Sequence, residues 1–150
     1  MQKINLFKTI PDTMKHFLSL GVSLKDKLDP ILVELIKIRS SQLNGCAYCL
    51  NLHTIDALNI GETNQRIFLL DAWSETDLFT EKEKLALELT ERLTLISDSN
   101  FDEDLYDRLS QHYTTEDFAY LVAIIVQINA WNRFNIATKR EIDKNYKGIK

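Results

Sequence analysis

The chain reads as all-α, and three observations carry that reading. Only four glycines and two prolines punctuate 150 residues. No convincing strand appears, and no repeat or low-complexity tract interrupts the pattern. Capping residues stand ahead of apolar runs with helical spacing. At this length the chain suits one domain, residues 1–150, large enough to bury a core without disulfide or metal staples.

The elements follow in order. Pro11, then Met14, Phe17, Leu18 and Leu20, predict an introductory helix over residues 13–20 with Gly21 as its stop. Asp29-Pro30 starts the next helix, pairing an acceptor side chain at the cap with a proline whose missing N–H does no harm in the first turn. That helix runs to about Leu43, where Asn44-Gly45 breaks it. Another opens at or just after Cys46 and closes at Asn59-Ile60-Gly61. Thr63 caps a helix over residues 64–73, and residues 74–79 form a connection. Thr80 and Glu83 form a capping box ahead of Leu85, Leu87, Leu89, Leu93 and Leu95. A loop over residues 97–100 leads to a short helix over 102–112, and Thr114 or Thr115 caps a long last helix that passes Trp131. Residues 118–126 of that helix are apolar all round, which predicts burial inside the domain or against another subunit.

Several function classes fall away. The net charge of −4 is spread along the chain without a basic stripe, so nucleic acid is not an expected partner. The last helix loses its apolar run at Gln127, well short of the roughly 20 apolar residues a bilayer span requires. The opening MQKINLFKTIPDTMKHF alternates polar and apolar residues rather than forming a leader, and the expected location is the cytoplasm. No membrane partner is expected.

Residues 34–61 hold the chemistry. Both cysteines of the chain and one of its three histidines lie here. On a helix, steps of three and four return to one face, so Cys46, Cys49 and His53 share a side. Cysteines at that spacing either bridge with modest adjustment or stay reduced. In a cytosolic chain they point to redox, catalytic or metal chemistry; the competing reading is a pair of small buried apolar residues. His53 lies one turn beyond Cys49 and two beyond Cys46, so it more readily serves Cys49. Cys49 then attacks and Cys46 resolves, although thioredoxin-like logic reverses the order. The helix N-terminus favours thiolate at both. Glu34 sits among Ile31, Leu32, Val33, Leu35, Ile36 and Ile38, where burial is expected to raise its pKa and suit it to pass protons with His53. The competing reading has it snorkel to solvent. A zinc set of Cys46, Cys49, His53 and Glu34 is disfavoured, because Cys46 and His53 lie about 10 Å apart along one rigid helix. Tyr48 reads as a packing or interface aromatic or as a site residue, Trp73 and Trp131 as core or interface, Asn132 and Arg133 as a helix emerging into water rather than a substrate-facing turn, and His16 and His112 have no assigned role.

Glu34 followed by Cys46, Tyr48, Cys49 and His53, within LIKIRSSQLNGCAYC and with Gly61-Glu62, Arg66, Trp73 and Ala130-Trp131-Asn132-Arg133 beyond, resembles the carboxymuconolactone decarboxylase-like superfamily. Within it the pattern resembles the alkylhydroperoxidase AhpD-like proteins over most of the chain. The resemblance implies an all-α bundle of about six to eight helices. It also implies a thiol peroxidase or disulfide oxidoreductase with Cys49, Cys46, His53 and Glu34 as site residues and no cofactor. The implied partners are a hydroperoxide, a lipoyl or thioredoxin-like dithiol donor, and further copies of the chain as a trimer or hexamer. The alternatives are a lactone decarboxylase, whose branch generally lacks the cysteine pair, and a non-enzymatic helical oligomer with a vestigial pair.

Overall fold

The caps read from the sequence open their helices at the expected places. The computed structural model describes residues 2–99 and 102–148, and among them lie α1 (Leu6–Thr9), α2 (Pro11–Leu24), α3 (Pro30–Asn44) and α4 (Ala47–Asn59). They continue as α5 (Asn64–Leu69), a 3-10 turn (Leu70–Glu75), α6 (Glu81–Thr94), α7 (Glu103–Ser110) and α8 (Thr115–Ala137). The fold is all-α, with no strand among the described residues. Asp29 accepts the Leu32 N–H at 2.9 Å, and both halves of the Thr80/Glu83 capping box are present. Thr114, not Thr115, caps α8, in a second capping box closed by Asp117. Gly45 ends α3 in the left-handed conformation (φ 67°) that a residue without Cβ adopts at no steric cost. Asn100, the last residue of the expected loop, lies outside the described residues.

Two expectations at helix ends change. Gly21 does not stop the first long helix, because α2 continues to Leu24. Its bare Cα instead admits Gln127 of α8, whose Nε2 would lie 2.9 Å from a Cβ placed there. The helix expected over 64–73 stays α-helical only to Leu69 and then tightens into a 3-10 turn with Ala72 out of helical geometry (φ −118°, ψ 32°).

Helix α3 divides the interior. Leu32 and Ile36 face one apolar cluster with Leu89, Leu105, Leu121 and Ile125 from α6, α7 and α8. Leu35 and Ile38 face a second, with Ala57, Leu70 and Leu87. Each fully buried leucine or isoleucine stabilises the fold by roughly 1.5–3 kcal/mol relative to exposure. Residues 118–126 are therefore only partly sunk: Leu121, Ile124 and Ile125 are buried, while Val126 is 58% exposed. No helix among the described residues is long and apolar enough to cross a membrane.

A polar seam runs where α3 meets α6 and α8. Asn44 donates to Asn129 Oδ1 (3.0 Å) and Asn132 Oδ1 (2.8 Å), and Asn132 donates on to Ser41 Oγ (3.0 Å). Asn132 is fully buried, so α8 does not emerge into water at that point, although Arg133 beside it is exposed. Asn129 donates to Thr94 Oγ1 (3.0 Å), so each amide in this seam has a partner that offsets the cost of burying it.

Candidate active site

The break at Gly45 turns the chain so that α4 starts against α3. Cys46 is the N-cap of α4, and Cys49, in the first turn, donates its N–H to Cys46 Sγ at 3.3 Å. The two are joined as a disulfide with Cα atoms 5.3 Å apart, and both are buried. Of the bridged and reduced alternatives, the structure holds the bridged one. One turn further along α4, His53 Nδ1 lies 2.8 Å from Glu34 Oε2 on α3. Glu34 also accepts from Lys37 Nζ at 2.6 Å. The structure thus brings Cys46 and Cys49 together in one bond and joins His53 to Glu34.

Glu34 does not snorkel; it is 9% exposed. Its pKa moves opposite to the expected direction. Burial pushes the carboxyl up, but the His53 hydrogen bond, the charge on His53 and the Lys37 ammonium together hold it below its ordinary value. Glu34 is an ionised anchor. It fixes the His53 tautomer with the Nδ1 proton toward the carboxylate, which leaves Nε2 as the basic nitrogen.

Four residues that sequence reasoning did not single out surround this core. Lys37 follows Glu34 by three positions and Asp56 follows His53 by three, so helical spacing could have found both. Asn135, on α8, places Nδ2 3.4 Å from Cys49 Sγ. Tyr146 donates to Asp56 Oδ1 at 2.7 Å, and burial followed by this bond raises its phenol pKa. No local signal marks these two, which lie 86 and 90 residues from their partners. The segment that carries Tyr146 runs along α4, where Asn51 donates to the Asp143 carbonyl (3.4 Å) and Asn59 to that of Lys147 (2.7 Å).

The other expected residues are structural. Tyr48 stacks under Arg140, whose guanidinium lies 4.1 Å from the ring centroid. Trp73 donates to Glu91 at 2.7 Å, and Trp131 packs with Phe7, Phe17 and Phe134. A cavity of about 80 Å³ beside Trp131 reaches Asn135 and Arg140.

Ligand atoms of Glu34, His53 and Asp56 lie within 4.8 Å of one another, a different set from the one weighed in the sequence. Glu34 is already engaged by Lys37 and Asp56 by the Tyr146 hydroxyl. The arrangement suits proton transfer beside a dithiol better than metal binding.

Comparison with known proteins gives the family and the fold. The Carboxymuconolactone decarboxylase family matches residues 10–92. The uncharacterized protein YdfG of Bacillus subtilis (strain 168) is 44% identical over 137 residues, covering 91% of this chain and 93% of its own. The crystal structure of an Agrobacterium tumefaciens protein of unknown function, a "Putative Antioxidant Defence Protein AhpD", superposes with a TM-score of 0.91 at 28% identity, over 95% of this chain and 99% of that one. The debrominase Bmp8 shares the fold (TM-score 0.81, 23% identity, 92% of this chain and 75% of that one). One helical scaffold therefore carries more than one chemistry.

Proposed function

The chain belongs to the carboxymuconolactone decarboxylase family, and within it we propose that this protein is a thiol-dependent peroxidase, an AhpD-like disulfide oxidoreductase that reduces hydroperoxides. The observation that carries the reading is a buried Cys46–Cys49 disulfide one helical turn from a histidine held by an ionised carboxylate. In the reduced protein His53 Nε2 takes the Cys49 proton, and the thiolate attacks the terminal oxygen of the hydroperoxide. The O–O bond breaks, an S–O bond forms, and the departing alkoxide takes the proton back from His53 to leave as alcohol. The Cys46 thiolate then attacks the Cys49 sulfenic acid; the S–S bond forms and the hydroxyl leaves, with one proton, as water. An external dithiol of the lipoyl or thioredoxin type supplies two electrons and two protons and restores both thiols.

One contact favours exchanging the thiol roles: the Cys49 N–H on Cys46 Sγ, at the positive end of α4, stabilises a Cys46 thiolate. Thiol counting and trapping test both readings. One equivalent of peroxide should consume both thiols of the reduced wild type. A lactone decarboxylase or a vestigial pair would lose neither specifically. Cys49→Ser should abolish peroxide consumption, whereas Cys46→Ser should still form a sulfenic acid trappable by dimedone. Trapping in Cys49→Ser alone would hand the attacking role to Cys46.

We also propose a homo-oligomer, a trimer or hexamer. Val126 and Ile136 on α8 and Leu18, Leu20 and Val22 on α2 leave apolar area in water that association would bury, at roughly 25 cal/mol per Å² before association costs. Light scattering at micromolar concentration should give at least a dimer mass; a monomer mass that persists as concentration rises would refute it.

A further inference from the structure

The Cys49 sulfur has a polar neighbour from α8. Asn135 is 7% exposed, and its Nδ2 lies 3.4 Å from Cys49 Sγ. Its orientation has a chemical cause. Arg140 Nη1 stands 3.5 Å from Asn135 Oδ1, and a guanidinium has only donors to offer, so the amide oxygen must face Arg140 and the NH2 group must face the sulfur. Arg140 is itself fixed. Its backbone N–H donates to the Asn135 carbonyl at 2.9 Å, and its guanidinium lies 4.1 Å from the Tyr48 ring centroid and 5.6 Å from that of Phe7. α8 and the residues just past it, far from Cys49 in the chain, thus hold an oriented amide against its sulfur and a cation against the amide oxygen.

We infer that Asn135 is a catalytic residue that donates a hydrogen bond to the Cys49 thiolate, and that Arg140 positions and polarises it. A disulfide sulfur is a weak acceptor, which fits the long 3.4 Å contact, whereas a thiolate accepts strongly from an amide. The bond therefore strengthens on reduction and favours the ionised form. The arrangement gives the two cysteines separate supports: Cys46 has the Cys49 backbone N–H at the start of α4, and Cys49 has a side-chain amide from α8. Loss of the amide leaves a buried thiolate with one donor fewer, which raises the thiol pKa. The inference rests on Cys49 being a reactive thiol, as proposed above.

The test is a pH titration of thiolate ultraviolet absorbance in reduced protein carrying Cys46→Ser, where Cys49 is the one thiol. Asn135→Leu should raise the midpoint by about one pH unit, a tenfold smaller thiolate fraction at any pH below both midpoints. Asn135→Asp, which puts a carboxylate against the sulfur, should raise it further, and Arg140→Gln should raise it less than either. Thermal melting identifies variants that fail to fold; Arg140→Gln, away from the buried sulfur, keeps the question open to measurement if both Asn135 variants fail. Unmoved or lowered midpoints in folded variants would overturn the inference. The titration uses no peroxide. A wild type that consumes none therefore refutes the peroxidase reading alone, while a working peroxidase with unmoved midpoints refutes the Asn135 role alone.

Discussion

Helix α3 carries two buried charges five positions apart, and they are neutralised in different ways. Arg39 is 7% exposed and is held by Asp71, by Glu91 at 2.7 Å and by Gln42 at 3.1 Å. Glu91 also accepts from Trp73, so the cluster ties α3 to α6 and the 3-10 turn. Glu34, 9% exposed on another side of the same helix, is held by one ammonium and one imidazole. The partners of Arg39 are two carboxylates and an amide. Glu34 is paired with the side chain whose ordinary pKa lies nearest to neutrality, and that side chain stands one turn from a disulfide. Burial of a charge does not mark a site. A buried charge whose partner can exchange a proton beside a reactive group does.

That contrast can be broken experimentally. The largest effect belongs to the Glu34 side: His53→Ala and Glu34→Gln should each slow Cys49 oxidation by about 100-fold, the range of general acid–base catalysis. The double variant should be scarcely slower than the worse single one if they act as one relay. Additive losses in stopped-flow oxidation rates would show two independent contributions.

Arg39→Met should instead cost about 2–3 kcal/mol of stability, by stranding Glu91 at a half-buried position, with Tm falling by about 5–10 °C. Oxidation of the folded fraction should stay within about twofold of wild type. A stable Arg39→Met protein with impaired chemistry would erase the distinction between the two charges.

The smallest effect concerns acid. The folded pKa of Glu34 lies below its ordinary value of 4.5, so its contribution is complete above that value and is lost as pH falls through the folded pKa. The stability difference between wild type and Glu34→Gln, measured by urea unfolding, should therefore shrink on acidification. A difference that grows toward low pH would mean that the pKa is raised.

What the sequence determined is what acts within a few residues. Asp29-Pro30, the Thr80/Glu83 box and Gly45 set their helix ends through bonds to atoms at most a turn away. The common face of Cys46, Cys49 and His53 follows from helical spacing in the same way, which is why the core of the site was legible. The tertiary structure decided what depends on packing one helix against another. It set the direction of the Glu34 pKa, because burial had to be weighed against an imidazole 19 residues away. Gly21 faces Gln127 rather than ending a helix, and Asn132 lies in a buried seam rather than in water. Asn135 reaches Cys49, and Tyr146 reaches Asp56, only because α8 and the segment after it lie against α4. A cap or a turn of helix fixes its geometry locally, whereas the strength of a buried charge or thiol depends on every group that replaces its water, wherever in the chain that group resides.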